Sequence, residues 1–421
     1  MDDVLEQMRA EWNQRAAEDA NYYVAFGRRD QDDDEFFATS ADVVRALEFE
    51  LKRFERPPRR ALEIGCGPGR LLRPLSRHFE EIHGADVSDE MIRLARGRLA
   101  ATPNAHVHRS SGSDLAGFED SSIDFVYSYA VFQHIPSREV VLQYLTEARR
   151  VLCPGGILRC QINGLPQDGK RYTTWEGVRI AASEILQFAD DNGLDLLALE
   201  GEGTQYMWTT LRKPAAIPEP LPGAPCRIYA ITDSFTGEPA VPARGRFASA
   251  SIRVENLPRT CNLNRLTVLF DGVPGSPSYL GWPQSAQLNV GLPSGIRTGL
   301  VPVEVRWRDE PLCAVAHARI ISPGPMVPRL VSIADGVNLL SGPRIVSGSV
   351  KAVLEEVPQP DDLDAAVGGR PIRDLEYFLT DALARRFEVN FRLPEGLSRG
   401  PAKVEMRLGH RRFAPIPIEV A

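Results

Sequence analysis

The stretch ALEIGCGPGRLL, residues 61–72, decides how the first half of the chain reads. Glycines at 65, 67 and 69 follow an apolar run that holds one acid, Glu63. That run is strand-like and LLRPLSRHF behind it is helix-like, so the glycines predict a strand-to-helix turn. Glycine takes positive φ without a Cβ clash and lets a ligand approach the backbone. Free amides at such a turn suit an anion. Two familiar loop patterns do not fit: GxGxxG needs glycine where Arg70 stands, and GK[ST] is absent. The loop alone leaves its ligand open.

Working outward, SADVVRALEFELKRF has helical apolar spacing with Ser40 as a cap, and Pro57-Pro58 stops it. EIHGADVS reads as a strand and DEMIRLARGRLA as the helix after it. HVHRSSGSDL, SIDFVYSY, the helix SREVVLQYLTEARRVL and the strand GGILRCQIN continue the alternation. Strands alternating with helices predict a parallel sheet covered on both faces. GLDLLALEGEGTQYMWTTLRK departs from this: two strand-like runs meet at a Gly-Glu-Gly turn, predicting a terminal hairpin.

The grammar changes at KPAAIPEPLPGAPC, where prolines at 214, 218, 220, 222 and 225 predict a stiff linker over 214–225. Beyond it, short alternating runs broken by Pro and Gly predict an all-β region. That region repeats. QLNVGLPSGIRTGLVPVEVRW aligns with EVNFRLPEGLSRGPAKVEMRL, pairing Asn289 with Asn390, Pro293 with Pro394 and Glu304 with Glu405. The pattern implies two tandem β-sandwiches, 226–322 and 326–421, and their N-x-x-x-P-x-G…G stretch resembles immunoglobulin-like modules of the IPT/TIG kind. Neither copy holds a dense set of His, acid and Ser residues, so both are expected to be non-catalytic, serving assembly or covering the acceptor side.

The chain has 421 residues and a net charge of −7, with 43% hydrophobic and 25% charged residues. This is the profile of a multi-domain globular protein with no global attraction to nucleic acid or anionic membranes. No signal peptide and no run long enough for a membrane span is read, and six cysteines without CxxC spacing fit a reduced, cytoplasmic chain without a metal site.

The blocks EIGCGPGR, GADVSDEMIRLAR, SGSDL, SIDFVYSYAVFQHIP and RVLCPGGIL, in that order within residues 10–213, resemble the class I S-adenosylmethionine-dependent methyltransferases. The resemblance implies a Rossmann-like, doubly wound α/β sheet with an antiparallel terminal hairpin over 1–213, and S-adenosyl-L-methionine as cofactor. It implies that Glu63, Gly65, Cys66, Gly67 and Gly69 wrap the methionine and ribose, and that Asp86 accepts from both ribose hydroxyls. Val87 and Met91 would line the adenine face; Ser113, Asp114 and Leu115 would meet its edge; Ser128 and Tyr129 would lie near the sulfonium. Several of these positions also have structural readings: Cys66 as a small filler, Asp86 as a helix cap, Ser113 and Asp114 as a polar turn.

Methyl transfer from a sulfonium is an in-line displacement, so orientation carries most of the catalysis and a base is needed only for a protonated acceptor. His134 is the candidate base, or else it packs the following loop; Gln133 and Tyr129 are placed to orient an acceptor. Tyr22, Tyr23 and Phe26 precede a basic pair and an acidic run, which reads either as a lid in which Tyr23 reaches the cofactor or as a solvated helix start. Trp175, Tyr206 and Trp208 are candidates for the acceptor pocket. Three functions follow: a methyltransferase for a small molecule, one for a protein or glycan docked by the β-modules, and a non-catalytic cofactor-binding scaffold. A homo-oligomer through the β-modules is a further expectation.

Overall fold

The computed structural model describes residues 2–25, 29–167, 169, 171–215, 225–245, 248–336, 342–381 and 384–421. Phe26 and linker prolines 218, 220 and 222 lie outside the described residues. The chain divides into two compact units, one of residues 1–13 and 41–323, the other of 14–40 and 324–421.

In the first unit seven strands carry the α/β pattern: β1 (Arg60–Ile64), β2 (Glu81–Asp86), β3 (Ala105–Arg109), β4 (Ile123–Ser128), β5 (Leu152–Ile162), β6 (Asp195–Glu200) and β7 (Met207–Arg212). Their order is β3-β2-β1-β4-β5-β7-β6. The first five run parallel, and β7 inserts antiparallel to both β5 and β6. Parallel strands are buried on both faces, which explains their near-continuous apolar runs. Leu62 and Val126 pack into one core, Ala61, Phe125 and Tyr127 into another on the opposite face. Helices Ala41–Leu51, Asp89–Arg98, Arg138–Val151 and Ala182–Asp191 present apolar stripes to the strands. The helix expected after the glycine loop is one turn, Leu72–Leu75, followed by a 3-10 turn, Ser76–His78. Asn104 closes it by donating from Nδ2 to the carbonyls of Ser76 (2.9 Å) and Phe79 (3.0 Å).

The sheet does not stop at β6. Strand Ser276–Gly281 pairs antiparallel with it, Tyr279 opposite Ala198, and continues through Ala286–Gly291, Ser249–Glu255 and Arg227–Asp233 to make eleven strands. The junction is apolar and polar together. Leu196 and Leu199 share one core with Leu263, Leu266 and Leu280. Buried Asp195 accepts from Asn262 Nδ2 at 2.8 Å and from Arg212 Nη2 at 2.7 Å. The Leu263 amide donates to the Leu196 carbonyl at 2.7 Å, and Arg53 Nη1 to the Leu280 carbonyl at 2.5 Å. Residues on either side of the Pro-rich stretch that reads as a linker therefore belong to one compact unit.

In the second unit, strands Arg329–Asp335, Ser349–Glu355, Arg386–Arg392 and Glu376–Asp381 form one sheet in that order. A second sheet runs Arg344–Ile345, Ile416–Val420, Gly400–Leu408, Leu363–Val367, Arg370–Pro371. Val350, Leu354, Val389 and Phe391 from the first meet Val367, Val404, Met406 and Ile418 from the second in one core. The same strand order recurs in residues 227–321, so the sequence repeat is a repeat of architecture.

At the β2–β3 edge His83 stands opposite His106, its Nδ1 lies 3.2 Å from His108 Nε2, and Phe118 covers the group. Burial, with His108 and Arg60 nearby and only partly offset by Glu81, pushes the His83 imidazole down from 6.5 to about 4. The unfolded chain takes up this proton near 6.5 and the folded chain near 4, so acidification across that window favours unfolding by up to about 3 kcal/mol. Urea midpoints should fall between pH 6.5 and 4, and His83→Phe should flatten that fall. A slope unchanged in the variant would assign the acid sensitivity elsewhere.

Candidate functional site

The segments after β1, β2, β3 and β4 emerge from the same, carboxyl-terminal edge of the parallel strands, where α/β sheets bind ligands. The glycine loop follows β1. Gly65, Gly67 and Gly69 have φ of +72°, +50° and +86°, which L side chains rarely adopt. At Gly65 space forbids a side chain too, since a Cβ would lie 2.3 Å from Val131 Cγ2. The amides of Gly65 and Cys66 donate to the Ala85 carbonyl at 2.7 and 3.1 Å. The Gly67 amide donates to Asp86 Oδ2 at 2.8 Å and the Gly69 amide to the Cys66 carbonyl at 3.0 Å. These amides are thus committed within the domain, and the helix behind them is a single turn. The anion-site reading of the loop gives way, because its amides are already partnered; what the loop offers is close backbone approach beside the Glu63 and Asp86 carboxyls.

Those carboxyls are buried. Glu63 accepts from the Tyr127 hydroxyl at 3.2 Å, and burial pushes its titration well above the usual carboxylate range, against the pull of Arg70. Asp86 accepts from the Gly67 amide through Oδ2 and from the Ser88 amide through Oδ1, both at 2.8 Å. Burial raises it as well, while these amides hold the charged form. The Val87 amide also hydrogen-bonds to this carboxylate and favours its charged form. Ser88, not Asp86, caps the helix Asp89–Arg98, accepting from the Met91 amide. Cys66 is buried with its thiol pushed well up, so it packs as a small residue and is no nucleophile.

Around Asp86, Val87 is half-buried and Met91 buried. A Cβ at Gly112 would lie 3.1 Å from Val87 Cγ2 and 3.3 Å from Leu5 Cδ2, so these three positions adjoin. Ser111 Oγ accepts from the amides of Ser113 (3.3 Å) and Asp114 (3.2 Å), and Asp114 Oδ1 from that of Ala116 (3.1 Å). The Leu115 amide donates to Glu147 Oε2 at 3.0 Å. The polar turn is real.

After β4, the Ser128 hydroxyl donates to the Ile64 carbonyl at 2.9 Å and is buried. Tyr129 stacks on Trp208 at 5.7 Å, and the Arg70 guanidinium lies over its ring at 5.6 Å. Ala130 sits at φ +55°, a strained value for a non-glycine residue, with its amide donating to Gln161 Oε1 at 2.9 Å. Gln133 and His134 occupy a 3-10 turn, Phe132–His134, and both are buried. His134 Nδ1 lies 2.8 Å from the Trp175 carbonyl, so Nδ1 carries the proton, and the Nε2 lone pair faces the Gln133 amide nitrogen at 3.4 Å. Trp12 meets the imidazole edge-on at 5.5 Å and Trp175 lies at 5.8 Å. Gln133 Oε1 is buried and meets no donor among the described residues. Trp175 and Tyr206 are exposed, Trp208 half-buried.

Residues 2–13 are the part that the sequence reading missed. Asn13 Oδ1 accepts from the Ser88 hydroxyl at 2.8 Å and from the Glu90 amide at 3.1 Å. Arg9 pairs with Asp89 at 2.7 Å, and the Thr174 hydroxyl donates to Glu11. Val4, Leu5, Met8 and Trp12 recur at helical spacing along this acidic segment, and that apolar stripe, with Met8 buried in the core, is the signal that could have marked its packing face. Tyr23 belongs to the other unit, where its hydroxyl donates to Glu18 Oε2 at 2.9 Å and Arg29 lies over its ring.

Residues 62–160 match the family described as a methyltransferase domain. This segment is an S-adenosylmethionine-dependent methyltransferase domain. Phosphoethanolamine N-methyltransferase 2 of Caenorhabditis elegans is 36% identical over 135 residues, 31% of this chain and 30% of that protein. Trans-aconitate 2-methyltransferase of Variovorax paradoxus is 33% identical over 129 residues, 30% of this chain and 45% of that protein. The chain thus spans less than half the length of these curated relatives. Among solved structures, geranyl diphosphate C-methyltransferase from Streptomyces coelicolor is 14% identical, with a TM-score of 0.39 over 50% of this chain and 98% of that one. No helix among the described residues is long and apolar enough to cross a membrane.

Gly65→Ala combines positive φ with the Val131 contact, so it should destabilise the protein by about 2 kcal/mol or more. Chemical denaturation reads this directly; an unchanged midpoint would mean that the loop adopts another conformation.

Proposed function

We propose that this protein transfers the methyl group of S-adenosyl-L-methionine to a nucleophile of a small-molecule acceptor. The observation that carries the reading is the Asp86 carboxylate, held by the Gly67 and Ser88 amides beside a loop whose glycines permit close approach. The cofactor supplies a methyl group on a sulfonium, which leaves as a neutral thioether. Asp86 would take the ribose hydroxyls, with Val87, Met91 and the 113–115 turn about the adenine. Glu63 and the loop Gly65–Gly69 would hold the methionine end, where a cationic ligand favours ionised Glu63 over its buried neutral form.

The acceptor side is assigned to the segment after β4. Gln133 Oε1 is a buried acceptor awaiting a donor, which favours an acceptor bearing N–H or O–H. His134 Nε2, its tautomer set by the Trp175 carbonyl, would take the proton that such a nucleophile loses. Tyr129 and Trp208 would form an aromatic wall, and Ser128, locked to Ile64, would support it from behind. A small acceptor is supported by the relatives, named for phosphoethanolamine and trans-aconitate. The repeated β-modules, read as immunoglobulin-like, have no catalytic role in this scheme; the first completes the sheet beside β6.

Two variants separate cofactor from acceptor chemistry. Asp86→Ala should weaken S-adenosylmethionine binding by about 1.5–3 kcal/mol in titration calorimetry, the scale of a charge-assisted hydrogen bond. His134→Ala should keep that affinity and lose turnover in a methylation screen of N–H and O–H acceptors. Unchanged affinity in Asp86→Ala would remove Asp86 from the cofactor site, and a fully active His134→Ala would leave His134 a packing residue.

A further inference from the structure

The two β-modules have the same strand order, yet one edge is treated differently in each. In the first, strand Ser276–Gly281 lies between Ala286–Gly291 and β6, so both of its edges are paired. Its counterpart is Glu376–Asp381. Tyr279 stands opposite Asn289 and Glu376 opposite Asn390, the two asparagines that align in the repeat. In the second module this strand pairs with Arg386–Arg392 on one side and has no strand on the other among the described residues.

An open edge offers unpaired backbone groups, and stable proteins usually guard it with Pro, Lys or a bulge. EYFLTD contains neither Pro nor Lys, and its one register shift falls at the far end, between Leu379 and Asp381. Tyr377 is 38% exposed and held by its hydroxyl to Asp361; Phe378 is 52% exposed. The strand of the first module that takes a neighbour carries Pro277, and it pairs all the same.

We propose that Glu376–Asp381 is a strand-addition edge that pairs antiparallel with the same strand of a second copy of this chain. A two-fold axis across the sheet keeps each face on its own side, so the pairing must centre on a residue. Centred on Phe378, it sets Phe378 against Phe378 of the second copy and Tyr377 against Leu379, and Glu376 then meets the end of the regular strand, where the register shifts at Thr380. One aromatic pair, Phe378 with its own copy, meets at the centre, Tyr377 meets aliphatic Leu379, and no like charges are opposed, a combination that stabilises cross-strand pairs. One short strand buries less than a standard interface, so the dimer is weak and concentration-dependent.

Sedimentation velocity of the full chain over a wide concentration range tests this. The chain should shift from monomer to dimer with rising concentration, and Phe378→Lys should raise the dissociation constant about tenfold or more. Phe378→Cys should form a covalent dimer on mild oxidation where the wild-type chain, with its own six cysteines, does not. Phe378 is a surface residue, but if the lysine variant misfolds by circular dichroism, the cysteine variant decides. A wild-type chain that stays monomeric, a dimer indifferent to Phe378→Lys, or no cross-link at 378 overturns the proposal.

Discussion

The hydrogen bond from the Gly67 amide to Asp86 Oδ2 joins the ends of two adjacent parallel strands, and the site is organised around it. Register makes it possible: Ile64 stands opposite Ala85, so the chain leaving β1 turns back over the tip of β2. Only a backbone with positive φ at 65, 67 and 69 follows that path, and the Ala85 carbonyl receives two amides along it. Asp86 is thereby held in place while burial opposes its charge. A buried carboxylate held in its charged form by backbone amides, beside glycines that let a ligand approach the chain, is the geometry on which the proposed cofactor site rests.

Much of this is legible in the sequence because it is local. The glycine spacing, the acids Glu63 and Asp86 and the alternation of strands and helices each state a short-range requirement, and the terminal hairpin follows from its Gly-Glu-Gly turn. The repeat was equally plain, since it is a matter of pattern. The role of the loop's amides was not. Their internal partners lie on β2, so the loop reads as an anion cradle until the register is known. His134 shows the same limit: its side chain packs against Trp12 while its two nitrogens face the Trp175 carbonyl and the Gln133 amide, an arrangement that the sequence alone does not give.

The junction between β6 and the first β-module was illegible for another reason. One bridge, Tyr279 to Ala198, joins residues far apart in sequence, and the buried set of Asp195, Arg212 and Asn262 is equally non-local. Proline density between 214 and 225 describes a stiff segment without saying whether its flanks share a core. They do: Leu196 and Leu280 belong to one cluster. The module is thus part of the sheet that carries the site, whereas its repeat has a hydrophobic core of its own.

The central claim is that the loop after β1 and the tip of β2 together receive S-adenosylmethionine. Amide hydrogen exchange on the full chain, with and without the cofactor, tests it most directly. The account predicts that binding slows exchange in residues 65–70 and 86–91 together, because one ligand closes over both. Protection confined to another region, or none at saturating cofactor, would contradict it.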